Sequence, residues 1–125
     1  MLGGANINIP CENYLFCSGI MKVQFLWHSF FRITQSNTSI IVDPFIECPA
    51  GDSTFKISMK CPVKKDKIGK VDAIFVSNEH FDHFDKATVE YISARDNAIV
   101  VAHESVLNEL RVSPGLKHNI KVGEK

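Results

Sequence analysis

Three side chains able to bind a metal fall within four positions of the segment Ser77-Asn78-Glu79-His80-Phe81-Asp82-His83: His80, Asp82 and His83. Imidazole nitrogen and carboxylate oxygen together suit zinc first, with manganese or iron as further occupants. A catalytic site built from them keeps one position open for water. The bound ion lowers the pKa of that water toward neutrality and polarises a carbonyl or phosphoryl oxygen. In an extended stretch positions 78, 80 and 82 face the same way, so Asn78, His80 and Asp82 can converge, and a bend brings His83 beside them. As composition alone, a polar surface loop explains these residues equally well. The metal reading gains from what precedes them.

Ala73-Ile74-Phe75-Val76 is a continuous apolar run, as expected of a strand covered on both faces. It delivers the polar loop at its carboxyl end, where open α/β sheets tend to bind ligands. Asp85 is placed to cap a helix running to about Arg95, with a stripe of Phe84, Ala87, Thr88, Tyr91 and Ile92. Ala98 to Ala102 reads as another buried strand. Val106, Leu107 and Leu110 mark a short second helix, which Pro114-Gly115 breaks. Strand, helix, strand in this order implies a parallel crossover. Upstream, Val23, Phe25 and Trp27 alternate with polar residues, and Phe31 and Ile33 do the same. A third strand, Ser39 to Val42, stops at Asp43-Pro44. Short links between these strands predict an antiparallel meander. Residues 45–70 hold Pro49, Gly51, Pro62 and Gly69 and read as a long irregular connection, and residues 119–125 as the approach to a further strand.

Residues 1–20 carry no clear period, so they are expected to be an irregular extension before a domain over 21–125, with Met21 as an alternative start. At 125 residues there is room for one core. Fourteen basic residues balance fourteen acidic ones, which disfavours a nucleic-acid or anionic-membrane partner. No apolar run reaches the length of a membrane span. The four cysteines (Cys11, Cys17, Cys48, Cys61) form no Cys-x-x-Cys pair and read as free thiols of a cytoplasmic protein.

The stretch Val71-Asp72-Ala73-Ile74-Phe75-Val76-Ser77-Asn78-Glu79-His80-Phe81-Asp82-His83 resembles the signature segment of the metallo-β-lactamase superfamily, His-x-His-x-Asp-His after a buried strand. Phe25-Leu26-Trp27-His28-Ser29 and Ile41-Val42-Asp43-Pro44-Phe45 are similar to the opening strands of one branch, the metal-dependent hydrolases related to ascorbate-6-phosphate lactonase and the N-acyl-phosphatidylethanolamine phospholipases. The resemblance covers about residues 21–112. It implies an α/β (α+β) fold: the first half of an αβ/βα sandwich, a mixed sheet with helices on one face. It also implies hydrolysis of a small-molecule ester, lactone or phosphodiester. By the same resemblance His80 would bind a first metal, and Asp82 and His83 a second, with Asp82 also orienting the attacking hydroxide. Asp43 would stand behind the ligands or fix the loop, and His28 would face the site mouth or serve the strand. His103 matches no family ligand and reads as a helix-start or surface residue.

Two departures qualify that reading. Asn78 stands where the pattern has its first histidine, and an amide oxygen is the poorer zinc ligand. The family's remaining ligands come from strands further along, whereas after His83 this sequence offers only His103 and His118. The expectation is a truncated or divergent hydrolase whose metal site is incomplete in these residues. The alternative is a non-catalytic half-domain that binds one metal or none and pairs with another chain. In either case the sheet face left uncovered predicts self-association.

Overall fold

In the computed structural model, the described residues are 6–9, 21–46, 63–80 and 83–121. The alternating segments form strands β1 (Asn6–Ile9), β2 (Met21–Trp27), β3 (Phe30–Gln35), β4 (Thr38–Val42), β5 (Ala73–Phe75), β6 (Ile99–Ala102) and β7 (Lys117–Asn119). They make one sheet whose spatial order follows chain order, β1 to β7. β1 to β4 pair antiparallel, and β4 to β7 pair parallel. Helices α1 (Lys86–Asp96) and α2 (Glu104–Leu107) fill the connections after β5 and β6. This is the mixed α+β sheet expected. None of the described helices is long and apolar enough to cross a membrane.

The pairing register sorts the side chains. Arg32, Ile41, Ile74 and Val100 lie opposite one another in a row, and the three apolar members have no exposed surface. With Leu26, Phe30, Val89, Ile92 and Val106 they form the core. Burying each side chain of this size contributes about 1.5–3 kcal/mol. Two apolar rows cross the other face of β2 to β6: Val23-Ile33-Ile40-Ala73-Ile99 and Phe25-Phe31-Val42-Phe75-Val101. All ten are half-buried or exposed, with Phe25 at 39% and Ile99 at 42%. The Phe25 and Phe31 rings meet edge to face at 5.4 Å.

Several expectations change here. Asn6–Ile9 pair with β2, so the irregular extension expected over 1–20 contains a strand; residues 1–5 and 10–20 lie outside the described residues. Among the described residues β5 and β6 are covered by helices on one face, the side of Ile74 and Val100, where Val89, Ile92 and Val106 join the core. β2 buries Leu26 rather than Phe25, since Leu26 alternates with Phe25 onto the face of Gln24 and Arg32, the side of the core. In α1 the buried residues are Thr88, Val89, Ile92 and Ser93, whereas Ala87 and Tyr91 are exposed. Tyr91 instead lies under Lys65 and Arg95, at 5.2 and 5.8 Å from the ring centre. All four cysteines lie outside the described residues.

Polar anchors tie the connections down. Asp85 caps α1, accepting from the Thr88 amide at 3.2 Å and the Thr88 hydroxyl at 2.7 Å, and it also accepts from the Ile46 amide at 2.9 Å. The segment after β4 is thereby fastened to the start of α1. Asp96 accepts from the Val71 amide at 2.9 Å and from Arg95 at 2.6 and 2.9 Å. That guanidinium holds the Asp96 carboxyl below its ordinary range, against partial burial, and the Val71 amide adds to the lowering.

Candidate metal centre

β4 and β5 run parallel, so both end at the same edge of the sheet and set Asp43 beside the loop that opens at Ser77. The Asp43 amide donates to the Phe75 carbonyl at 2.8 Å, extending the ladder by one residue. Its φ of 47° then turns the chain off the strand. Asp is among the few residues other than glycine that tolerate this left-handed region, because its short polar side chain bonds locally.

Asp43 is 3% exposed, and its side chain is fully engaged. Oδ1 accepts from the Ser77 amide at 2.6 Å; Oδ2 accepts from the Ser77 hydroxyl at 2.6 Å and lies 2.8 Å from Nδ1 of His83. One buried carboxylate thus fixes both ends of the loop. A carboxylate accepts only, so Nδ1 of His83 carries the shared proton and a metal would be met through Nε2. Metal-binding histidines almost always carry such a partner on the second nitrogen.

Within the loop, Asn78 accepts from the His80 amide at 3.0 Å and donates to the Ser77 hydroxyl at 3.0 Å. The His80 carbonyl accepts from the amides of His83 and Phe84, both at 2.9 Å. These two bonds tie His83 and Phe84 back to His80. His80 is exposed and His83 half-buried. Asp82 lies outside the described residues. Among the described residues no three His, Cys, Asp or Glu side chains form a group that could hold a metal. The donors fit a divalent cation in kind, given the support behind His83. Two imidazoles are fewer than the three protein ligands of a catalytic zinc.

His28 sits in the turn between β2 and β3 with φ of 52°, its ring edge-on to Trp27 at 4.7 Å and to Phe45 at 5.4 Å. It is thus packed against the segment that carries Asp43. His103 caps α2, its side chain accepting from the Ser105 amide, in line with a helix-start role. His118 is exposed on β7. Sequence reasoning passed over Ser77, whose amide and hydroxyl both bind Asp43. Its signal was its place directly after the apolar run Ala73 to Val76, opposite an Asp-Pro strand end.

Residues 22–122 match a family described as the beta-lactamase superfamily domain. A UPF0173 protein of Pyrococcus furiosus is 30% identical over 107 residues, covering 84% of this chain and 42% of that protein. A UPF0173 metal-dependent hydrolase of Bacillus thuringiensis is 38% identical over 82 residues, covering 66% of this chain and 31% of the relative. In structure, a protein of Parabacteroides distasonis named as a metal-dependent hydrolase aligns with a TM-score of 0.70 at 22% identity, over 97% of this chain and 44% of that one. The metallo hydrolase Igni18 of Ignicoccus hospitalis aligns with a TM-score of 0.54 at 19% identity, over 82% of this chain and 40% of that one. The chain spans less than half the length of these relatives.

Proposed function

Since the chain belongs to the beta-lactamase superfamily domain family, we propose that it forms part of the metal site of a hydrolase acting on a small ester, lactone or phosphodiester. The observation that carries this reading is the 2.8 Å contact between His83 Nδ1 and Asp43 Oδ2, which orients an imidazole as a metal ligand. His80, Asp82 and His83 would hold one divalent ion, zinc by the chemistry of the donors, and Asn78 would be a weaker fourth contact. When bound, such an ion supplies Lewis acidity and an acidified water. Asp82 takes the role of orienting that water, and Asp43 and Ser77 hold the loop in place. His28 belongs to the site mouth beside Phe45. Residues 21–125 are the proposed domain, supported by the family match over 22–122. Its proposed setting is the cytoplasm, in keeping with cysteines that lack a paired spacing. The proposal assigns these residues one metal and no turnover by themselves.

Elemental analysis of protein purified without added metal tests this. The expected content is no more than one divalent ion per chain, lost in His83→Ala. Two ions retained after dialysis against chelator would overturn it.

The two apolar rows favour a second reading, a half-domain that pairs with another chain through that face. Metal content separates the readings, since a pairing half-domain gains mass with concentration even when it holds no ion, whereas the hydrolase reading requires one.

A further inference from the structure

Basic residues concentrate in one stretch that the metal centre does not use: Lys64, Lys65, Lys67 and Lys70, broken by Asp66. Such a run is ordinarily a solvated loop. Here its backbone is fixed. Val63 and Ile68 are buried in the core, and Lys65–Lys67 form a 3₁₀ turn between them. Arg95, near the end of α1, donates to the Gly69 carbonyl at 3.0 Å and to the Lys65 carbonyl at 3.4 Å. Arg32 of β3 donates to the Lys70 carbonyl at 3.4 Å. The segment leads into the amino end of β5, at the sheet edge opposite the one that carries Asp43 and His83.

The charges around this segment are unevenly committed. Asp72 accepts from the Ser39 amide at 2.8 Å, and Asp96 is taken up by Arg95 and the Val71 amide. Asp66 is exposed. Lys64, Lys67 and Lys70 are exposed too, and among the described residues their ammonium groups have no partner. Beside them lies the Tyr91 ring, with Lys65 Nζ at 5.2 Å and the Arg95 guanidinium at 5.8 Å from its centre, and Tyr91 is 36% exposed. Equal totals of acid and base disfavour a polyanion for the chain as a whole, but not for this face.

We propose that this surface binds single-stranded nucleic acid, with Lys64, Lys67 and Lys70 on phosphates and Tyr91 stacking a base. Cations alone would suit any polyanion. The exposed ring among them favours a chain that carries bases. A backbone already held by Arg95 and Arg32 loses little order on binding. The surface stands apart from the metal centre, so the proposal does not rest on the hydrolase reading.

The experiment is fluorescence anisotropy of the full chain with a short labelled oligouridylate at several salt concentrations. Three phosphate contacts should give a slope of log affinity against log salt of about −2, roughly −0.7 for each. Lys67→Gln should bring the slope to about −1.4. Tyr91→Leu should weaken binding roughly fivefold or more, the loss of one stacked base, at unchanged slope. Lys86→Gln, at the far end of α1, should bind like the parent, and polyglutamate should compete poorly. The proposal is overturned if binding does not saturate or if Lys67→Gln leaves the slope unchanged. It is equally overturned if Tyr91→Leu binds like the parent, if Lys86→Gln weakens binding as much as Lys67→Gln, or if polyglutamate competes as well as unlabelled oligouridylate.

Discussion

Asp43 Oδ2 and His83 Nδ1 lie 2.8 Å apart across forty positions of sequence. The end of one strand therefore sets the tautomer of an imidazole in the loop after the next. Asp43→Asn tests this relationship with little change of shape. The amide oxygen can still accept from Ser77, but the amide nitrogen would face Nδ1 and donate to it. The ring proton then moves to Nε2, where it blocks a metal. Divalent-ion affinity, measured by competition with a chromogenic chelator, should fall about 10–100-fold, with the denaturation midpoint nearly unchanged. Unaltered affinity would show that His83 is not a ligand.

Asp85→Ala removes the α1 cap together with the bond to Ile46. The cap alone is worth about 0.5–2 kcal/mol, and the extra bond to Ile46 places the loss at the top of that range. Urea unfolding should give a lower midpoint at constant slope. Thr88→Val, which removes only one hydroxyl from this cluster, should cost less.

The lowered pKa of Asp96 fixes a sign for acid sensitivity. A carboxyl whose folded value lies below its unfolded value stabilises the fold above the unfolded value, ordinarily near 3.8, and loses that contribution as pH falls through the folded value. Melting temperature should therefore fall less steeply below about pH 4 in Asp96→Asn than in the parent. Identical acid slopes in the two proteins would remove Asp96 from the account.

A chain that starts at Met21 loses β1 and leaves β2 as an edge. It should still unfold cooperatively, because the core residues among those described all lie beyond that point. Its midpoint should drop modestly, and its tendency to associate should rise through the newly unpaired strand. Loss of a cooperative transition would make β1 integral to the domain.

Ile99→Lys places a charge at the end of an apolar row, at a residue already 42% exposed. If chains pair through that face, sedimentation should show less association at equal concentration, with thermal stability largely kept. Unchanged association would direct attention to an edge strand instead.

Much of this was legible in the sequence, and the rest failed for identifiable reasons. The Asp85 cap, the strand before Ser77 and the parallel crossover each follow from local chemistry. Asp43 could be narrowed to a residue behind the site or a strand-end turn; the structure shows the turn, left-handed at Asp43, and adds three bonds to Ser77 and His83. The buried side of β2 was misread because Phe25 and Trp27 outweigh Leu26 in any apolar pattern, and period alone does not say which face a helix covers. β1 went unseen because Asn-Ile-Asn-Ile alternates over only four residues, too few to stand out. Ser77 was missed because its role depends on Asp43, a partner no local window contains.

The strands lie side by side in the order in which they are synthesised. Each can dock on an edge completed just before it, and none must wait for a later strand to insert beside it. Assembly can therefore proceed by accretion as the chain emerges, with the longer connections those that lead to β5 and β6. Asp43 consequently waits with its carboxylate uncommitted until β5 arrives with Ser77 and His83. The arrival of that fifth strand is then the moment at which the two ends of the loop from Ser77 to His83 first find their common anchor.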